Sequence, residues 1–157
     1  MRIGSGYDLH RLGPDRALML GGVEIPSSVG ELGHSDGDVL IHAVIDALLG
    51  AAALGDIGTH FPPSDPAYAG IDSRTLLART MELIGTAGFR PINLDATVIL
   101  ELPKLKPYIR AIREQLAADI GLSVDCVSVK AKTNEGVDAV GRGEAIAVHA
   151  AVLIEES

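Results

Sequence analysis

Asp8-Leu9-His10 lies in a stretch, residues 2–13, that reads as extended, so residues two apart project from one face and a carboxylate and an imidazole point together. That is half of a metal site, or a simple hydrogen-bonded pair. His42 becomes a third donor if this stretch packs against the helix that carries it. Two histidines and one aspartate, with a fourth position open, make the ligand count of a catalytic rather than a structural zinc. His34-Ser35-Asp36-Gly37-Asp38 runs directly into the same helix. Free N–H groups there, assisted by Gly37, suit a phosphate oxygen, and Ser35 or Asp36 equally suits a helix cap. Lys130-Ala131-Lys132-Thr133-Asn134-Glu135-Gly136 closes a later extended run. Its lysines suit phosphate and Glu135 suits Mg²⁺, which takes carboxylate and phosphate oxygens. A solvated loop uses similar residues. Arg142, between Gly141 and Gly143, fits either a phosphate contact or an ion pair at an interface.

These groups need elements to bring them together. Ala17 to Leu20 and Val23 to Ile25 flank Gly21-Gly22 and read as a hairpin. Val39 to Leu54 is the most apolar stretch, shorter than the roughly 20 residues of a membrane span and interrupted by His42 and Asp46. Asp38, His42 and Asp46 recur every four residues, which predicts a buried helix with one wet face, ending near Gly55. The glycines and prolines of Asp56 to Pro66 predict a long irregular loop. Ser73 to Thr86 has helical spacing of Leu76, Leu77, Thr80, Leu83 and Ile84. Ile92 to Leu102 alternates as a strand, with Ile92, Leu94, Ala96, Val98 and Leu100 on one side. A third helix follows Pro103 and Pro107, on Ile109, Ile112, Leu116 and Ile120, and Val124 to Ala131 and Glu144 to Glu155 are further extended runs. The last is apolar on both faces, and three helices are too few to cover both sides of a sheet. The predicted fold is α+β in two layers, a mixed four-stranded sheet with helices on one face, its other face packed sheet on sheet in an oligomer or else covered by a hairpin or loop of the same chain.

The chain has 157 residues, with 21 Asp and Glu against 13 Lys and Arg, a formal charge of −8, and one cysteine, Cys126. Nothing divides it, so residues 1–157 read as a single domain. The acidic field repels polyanions and argues against nucleic acid or an anionic membrane as partner. One thiol forms no internal bridge, and the opening residues carry no apolar signal segment, so the expected compartment is the cytoplasm.

Asp8-Leu9-His10, His34-Ser35-Asp36-Gly37-Asp38-Val39, His42-Ala43, Asp46-Ala47, Gly55-Asp56-Ile57-Gly58, Phe61-Pro62, Lys130-Ala131-Lys132-Thr133, Glu135 and Gly141-Arg142-Gly143-Glu144 resemble, in order and spacing, the 2-C-methyl-D-erythritol 2,4-cyclodiphosphate synthase family. The likeness spans nearly the whole chain, and the block from His34 to Ala43 is its most specific part. It implies a homotrimer with active sites between subunits, which closes 4-diphosphocytidyl-2-C-methyl-D-erythritol 2-phosphate into the cyclic diphosphate and releases CMP, in the non-mevalonate route to isoprenoids. It also implies Zn²⁺ on Asp8, His10 and His42 and Mg²⁺ or Mn²⁺ on Glu135. His34 and Thr133 become transition-state stabilisers, with Ser35 beside His34 at the phosphate. The implied substrate contacts are Asp8, Leu9 and His10, then Asp56, Ile57, Gly58, Phe61 and Asp65 at the methylerythritol and ribose. Leu100, Glu101, Leu102, Pro103, Lys104, Leu105 and Lys106, with Ala131, Lys132, Thr133, Asn134 and Glu135, form the implied cytidine side, and Arg142 is a further contact. Pro63, Thr59-His60 and Asp138-Ala139 depart from the family pattern, the last pair standing where Gly-Phe is common. Two other readings share parts of this pattern: a metal-dependent phosphohydrolase, and a trimeric small-molecule binding protein.

Overall fold

The computed structural model describes residues 1–33 and 35–157. Both roles expected of His34 therefore lie outside the described residues. In chain order the elements are β1 (Arg2–Gly13), β2 (Leu18–Leu20), β3 (Val23–Ile25), β4 (Gly30–Leu32), α1 (Val39–Ala52), α2 (Ile57–His60), α3 (Ser73–Thr86), β5 (Phe89–Ile99), α4 (Ile109–Ile120), β6 (Val127–Lys132), α5 (Asp138–Gly141) and β7 (Ala145–Glu156). The fold is α+β, and its main sheet has five strands, β4-β1-β7-β5-β6, rather than four. The extra strand, β4, pairs only three residues with β1, too short a run to leave a pattern in the sequence. β5 and β6 pair in parallel and the remaining neighbours are antiparallel, which makes the sheet mixed.

The predicted alternation of β5 holds for Leu94, Ala96, Val98 and Leu100, all buried. Ile92 departs from it, because the register with β7 shifts between Pro91 and Asn93 and leaves Ile92 as the extra residue. The mostly buried helix α1 lies across β1 and β7. Gly4 and Gly6 permit this: a Cβ on either would stand 1.9 Å from the carbonyl oxygen of Ala47 or Ala43. The helix thus rests on strand backbone, and His42 comes down beside Asp8.

The capping residue of α1 is Asp38, rather than Ser35 or Asp36. Its carboxylate accepts N–H bonds from Ile41, Gly21 and Gly22 at 3.0, 3.0 and 2.7 Å, tying the hairpin turn to the helix start. The expected wet stripe holds for two of its three residues: Asp38 is wholly buried, while His42 lines a cleft and Asp46 is half-buried. Burial pushes the Asp38 carboxyl up to about 6 despite these amides. The helix stops at Ala52, earlier than Gly55, with Ala53 in the left-handed region as its cap.

The Asp56 to Pro66 stretch is not wholly irregular. Asp56 caps the single turn of α2, and Asp65 caps a 3₁₀ turn over Pro66–Tyr68. Prolines punctuate this region without preventing one-turn helices between them. Another 3₁₀ turn, Val124–Cys126, occupies the start of the run predicted as strand, so β6 begins at Val127.

On the helix side of β7, Ile146, Val148, Ala150, Val152 and Ile154 are all buried. On the other side α5 covers Ala145 and Ala147 through Val140. Ile3, Tyr7 and Leu9 remain 75, 52 and 46% exposed on that same side, and His149 stacks on Tyr7 with ring centroids 4.8 Å apart. No helix among the described residues is long and apolar enough to cross a membrane.

Candidate active site

Asp8 and His10 project from β1 toward α1, as their two-residue spacing requires, and meet His42 there. Asp8 Oδ2 lies 3.0 Å from His10 Nε2 and 3.2 Å from His42 Nδ1, and the two imidazoles sit edge to face at 5.1 Å. One ligand atom from each residue lies within 4.8 Å of the others. Two imidazole nitrogens and one carboxylate oxygen, partly open to a cleft, fit a divalent transition metal with room for an exogenous ligand.

The ring nitrogens turned away from Asp8 are also engaged. His10 Nδ1 lies 2.7 Å from the Gly37 carbonyl, which only accepts, so Nδ1 carries the proton and Nε2 is the atom presented to the centre. His42 Nε2 lies 3.0 Å from both Ser35 Oγ and Ser73 Oγ, and the Ser73 hydroxyl donates to Asp36. Burial acts against both charges of the metal-free pair, yet mutual hydrogen bonding prevails. Asp8 is held below the usual carboxylate range, and His10 rises to about 10 through its bonds to Asp8 and Glu31. Sequence reasoning missed Glu31 and Ser73 in this region, and it offered Asp36 as a helix cap rather than as the acceptor of the Ser73 hydroxyl. The three-residue strand and the start of α3 that carry Glu31 and Ser73 reach the triad only in the folded chain.

Three amides around the expected phosphate cradle at the start of α1 are already bonded within the protein. Val39 N donates to Glu31, Ile41 N to Asp38, and Gly37 N to the Ser35 hydroxyl. Ser35 is buried and turned to His42 and Ser73.

Two clefts flank these elements. One, of about 400 Å³, holds His10, Ser35 and His42 together with Ile57, Gly58 and Phe61, and adds Tyr68 and Leu76, which the sequence did not single out. Asp46 accepts the Ile57 amide at 2.8 Å and so fixes the start of α2. Asp56 is spent on Thr59 N and Oγ1, and Asp65 on Ala67 N. His60, the last residue of α2, bonds to the Leu54 carbonyl through Nε2.

The second cleft, of about 410 Å³, is lined by Leu100, Pro103, Lys104, Leu105, Lys106, Ala131, Lys132, Thr133 and Glu135. Thr133 Oγ1 donates to Glu135 at 2.9 Å. Glu101 is occupied by the Asn134 and Gly136 amides, so it holds the loop in place. Leu102 is 66% exposed, Leu9 faces the outer side of the sheet, and Arg142 is paired with Glu144 at 2.9 Å. Glu135 stands apart from the triad, in the loop that Glu101 holds, and its carboxylate accepts from Thr133.

The register shows how far apart the two clefts are. Asp8 pairs with Val148, Val148 with Val98, and Val98 with Ala131, which places Asp8 and Ala131 in one row, three strand spacings or about 14 Å apart. The clefts open at the same end of the sheet and share no lining residue.

Fold and site together define an α+β protein with a metal-type triad and a separate lysine-lined cleft. The chain belongs to the YgbB family, which it matches over residues 1–155. It is 58% identical to the 2-C-methyl-D-erythritol 2,4-cyclodiphosphate synthase of Gloeobacter violaceus, over 99% of this chain and 96% of that one. It superposes on a solved 2C-methyl-D-erythritol-2,4-cyclodiphosphate synthase in its CDP-bound form with a TM-score of 0.91 at 40% identity, covering 98% and 100% of the two chains. The bifunctional IspDF from Campylobacter jejuni gives 0.96 at 38% identity, covering 99% of this chain and 42% of that longer one.

Proposed function

We propose that this chain closes 4-diphosphocytidyl-2-C-methyl-D-erythritol 2-phosphate into 2-C-methyl-D-erythritol 2,4-cyclodiphosphate, with release of CMP, in the cytoplasmic non-mevalonate route to isoprenoid precursors. The observation that carries the reading is the convergence of Asp8, His10 and His42 in a chain that belongs to the YgbB family over nearly its full length. The 2-phosphate oxygen attacks the β-phosphorus, the bond to CMP breaks, and CMP leaves with its electron pair. No protein nucleophile is required, so the work of the protein is positioning and charge neutralisation. Zn²⁺ on Asp8, His10 and His42, and Mg²⁺ or Mn²⁺ on Glu135, would supply Lewis-acid charge to the diphosphate when bound.

The protein's own groups divide the substrate between the two clefts. Ile57, Gly58 and Phe61 enclose the methylerythritol, with Asp56 and Asp65 fixing their loop and contacting the sugar hydroxyls. Leu100 to Lys106 and Ala131 to Glu135 take the cytidine, Lys132 and Thr133 meet the phosphates, and Ser35 sits at the triad. Arg142 contacts substrate after release from Glu144. Two clefts set three strand spacings apart along one sheet, and an outer face with Ile3, Tyr7 and Leu9 exposed, support a homotrimer in which a neighbour's cleft completes each site.

Phosphorus NMR of purified protein with the cytidyl substrate and Mg²⁺ tests the reaction. The expected products are the cyclic diphosphate and CMP; a linear phosphate product would refute the reading in favour of hydrolysis. His42→Ala is expected to lose zinc and, with it, several kcal/mol of charge stabilisation, roughly a thousandfold in turnover. A mere binding protein would keep its ligand affinity after that change.

A further inference from the structure

Glu31 sits at the middle of β4, 1% exposed, on the far side of His10 from the metal-type centre. Its Oε2 lies 2.9 Å from His10 Nδ1 and 2.8 Å from the amide of Val39. Its Oε1 is buried with no hydrogen-bond partner. A buried carboxyl group with one oxygen unsatisfied costs stability, burial pushes Glu31 up to about 8, and the Val39 amide by itself calls only for a neutral acceptor. The geometry offers another reason for this residue. His10 Nδ1 is met by two acceptors, Glu31 and the Gly37 carbonyl, both behind the ring. Gly37 has φ +86°, and a Cβ there would stand 3.0 Å from the Glu31 Cβ, so the glycine lets its carbonyl and the carboxylate crowd one ring nitrogen. A carboxylate behind a metal-bound histidine fixes its tautomer and raises its basicity as a ligand.

We infer that Glu31 is a positioning residue that, acting through His10, sets the metal affinity of the Asp8–His10–His42 centre. The inference rests on the metal reading of that triad. His10 supplies the ligand atom; Glu31 touches neither the ion nor the substrate. The short strand β4 thereby gains a purpose beyond edge pairing, since its register with β1, Glu31 opposite Leu12, brings the carboxylate up behind His10.

The test is competition for zinc between a chromophoric chelator and the full-length protein, as wild type, Glu31→Gln and Glu31→Leu, beside thermal unfolding of each metal-free protein. Glu31→Leu is expected to bind zinc roughly 10- to 100-fold more weakly. Glu31→Gln keeps an acceptor for Val39 and His10 but not the carboxylate, and is expected to fall between the two. Should Glu31→Leu fail to fold, Glu31→Gln decides by the same measurement. If the folded variants hold zinc as tightly as wild type and differ only in melting temperature, Glu31 is purely structural and the inference is overturned. If wild type itself takes up no zinc, the metal reading falls, and this inference falls with it.

Discussion

His10 divides its two nitrogens between a structural carbonyl and a metal-type centre, and that division has a measurable consequence. In the metal-free protein its bonds to Asp8 and Glu31 outweigh burial and raise it to about 10, so at neutral pH both ring nitrogens carry protons. A metal requires the Nε2 lone pair, and binding must expel that proton. Zinc titration calorimetry at pH 7.5, in two buffers of different ionisation heat, is expected to show about one proton released per ion, with affinity tightening about tenfold per pH unit toward 10. Zinc uptake with no proton release would contradict the assignment. The same pair contributes to metal-free stability with a defined sign. Asp8 is depressed below its ordinary value of 3.8 and His10 is raised above its ordinary 6.5, so the contribution is complete between those values. It fades as pH rises through about 10, and as pH falls through the depressed Asp8 value.

Among the elements, β1 and α1 make the site by direct contact, and the missing side chains of Gly4 and Gly6 allow it. Glycines at alternate positions of a strand reveal in sequence only that something approaches closely. Which helix approaches, and that His42 then faces Asp8, follows from the packing. Gly6→Ala would drive a methyl into the Ala43 carbonyl, adjacent in sequence to His42. The expected result is a loss of about 1–3 kcal/mol or more in urea unfolding, with weakened zinc binding in whatever protein remains folded. Unchanged affinity would show that the helix can shift without disturbing the triad. The boundaries of α3 were legible from apolar periodicity, whereas the cap of α1 was not. Asp38 displaced Ser35 and Asp36 because only it sits where three backbone amides converge, one of them from the helix and two from a hairpin turn.

At the scale of the molecule, the formal charge of −8 and the proposed anionic substrate are reconciled by the carboxylates themselves. In the proposed site Asp8 and Glu135 hold cations, which would turn acidity into metal affinity. The proposed trimer makes a further separation testable. All three triad residues come from one chain, whereas the proposed complete site needs two. Tyr7→Glu, on the exposed outer face of β1, is expected to give a protein of monomer mass by sedimentation that still binds zinc but loses at least a hundredfold in turnover. A full-activity monomer would overturn the shared-site assembly.

The sequence by itself determined the chemistry available and most of the secondary structure. Donor types at fixed spacing, helical and alternating periodicity, and a last strand apolar on both faces are local properties, readable without knowing what lies across the core. It also supported the family assignment, because the motif blocks are specific in order and spacing. Only the tertiary structure decided which groups stand behind the ligands, which carboxylates are already spent on backbone amides, and how far apart the two clefts lie. Glu31 and Ser73 act through contacts between segments remote in sequence, and a three-residue strand or a helix start carries too little pattern to announce them. The distance between Asp8 and Ala131 depends on strand order, which is set by burial of the whole sheet rather than by any residue within it.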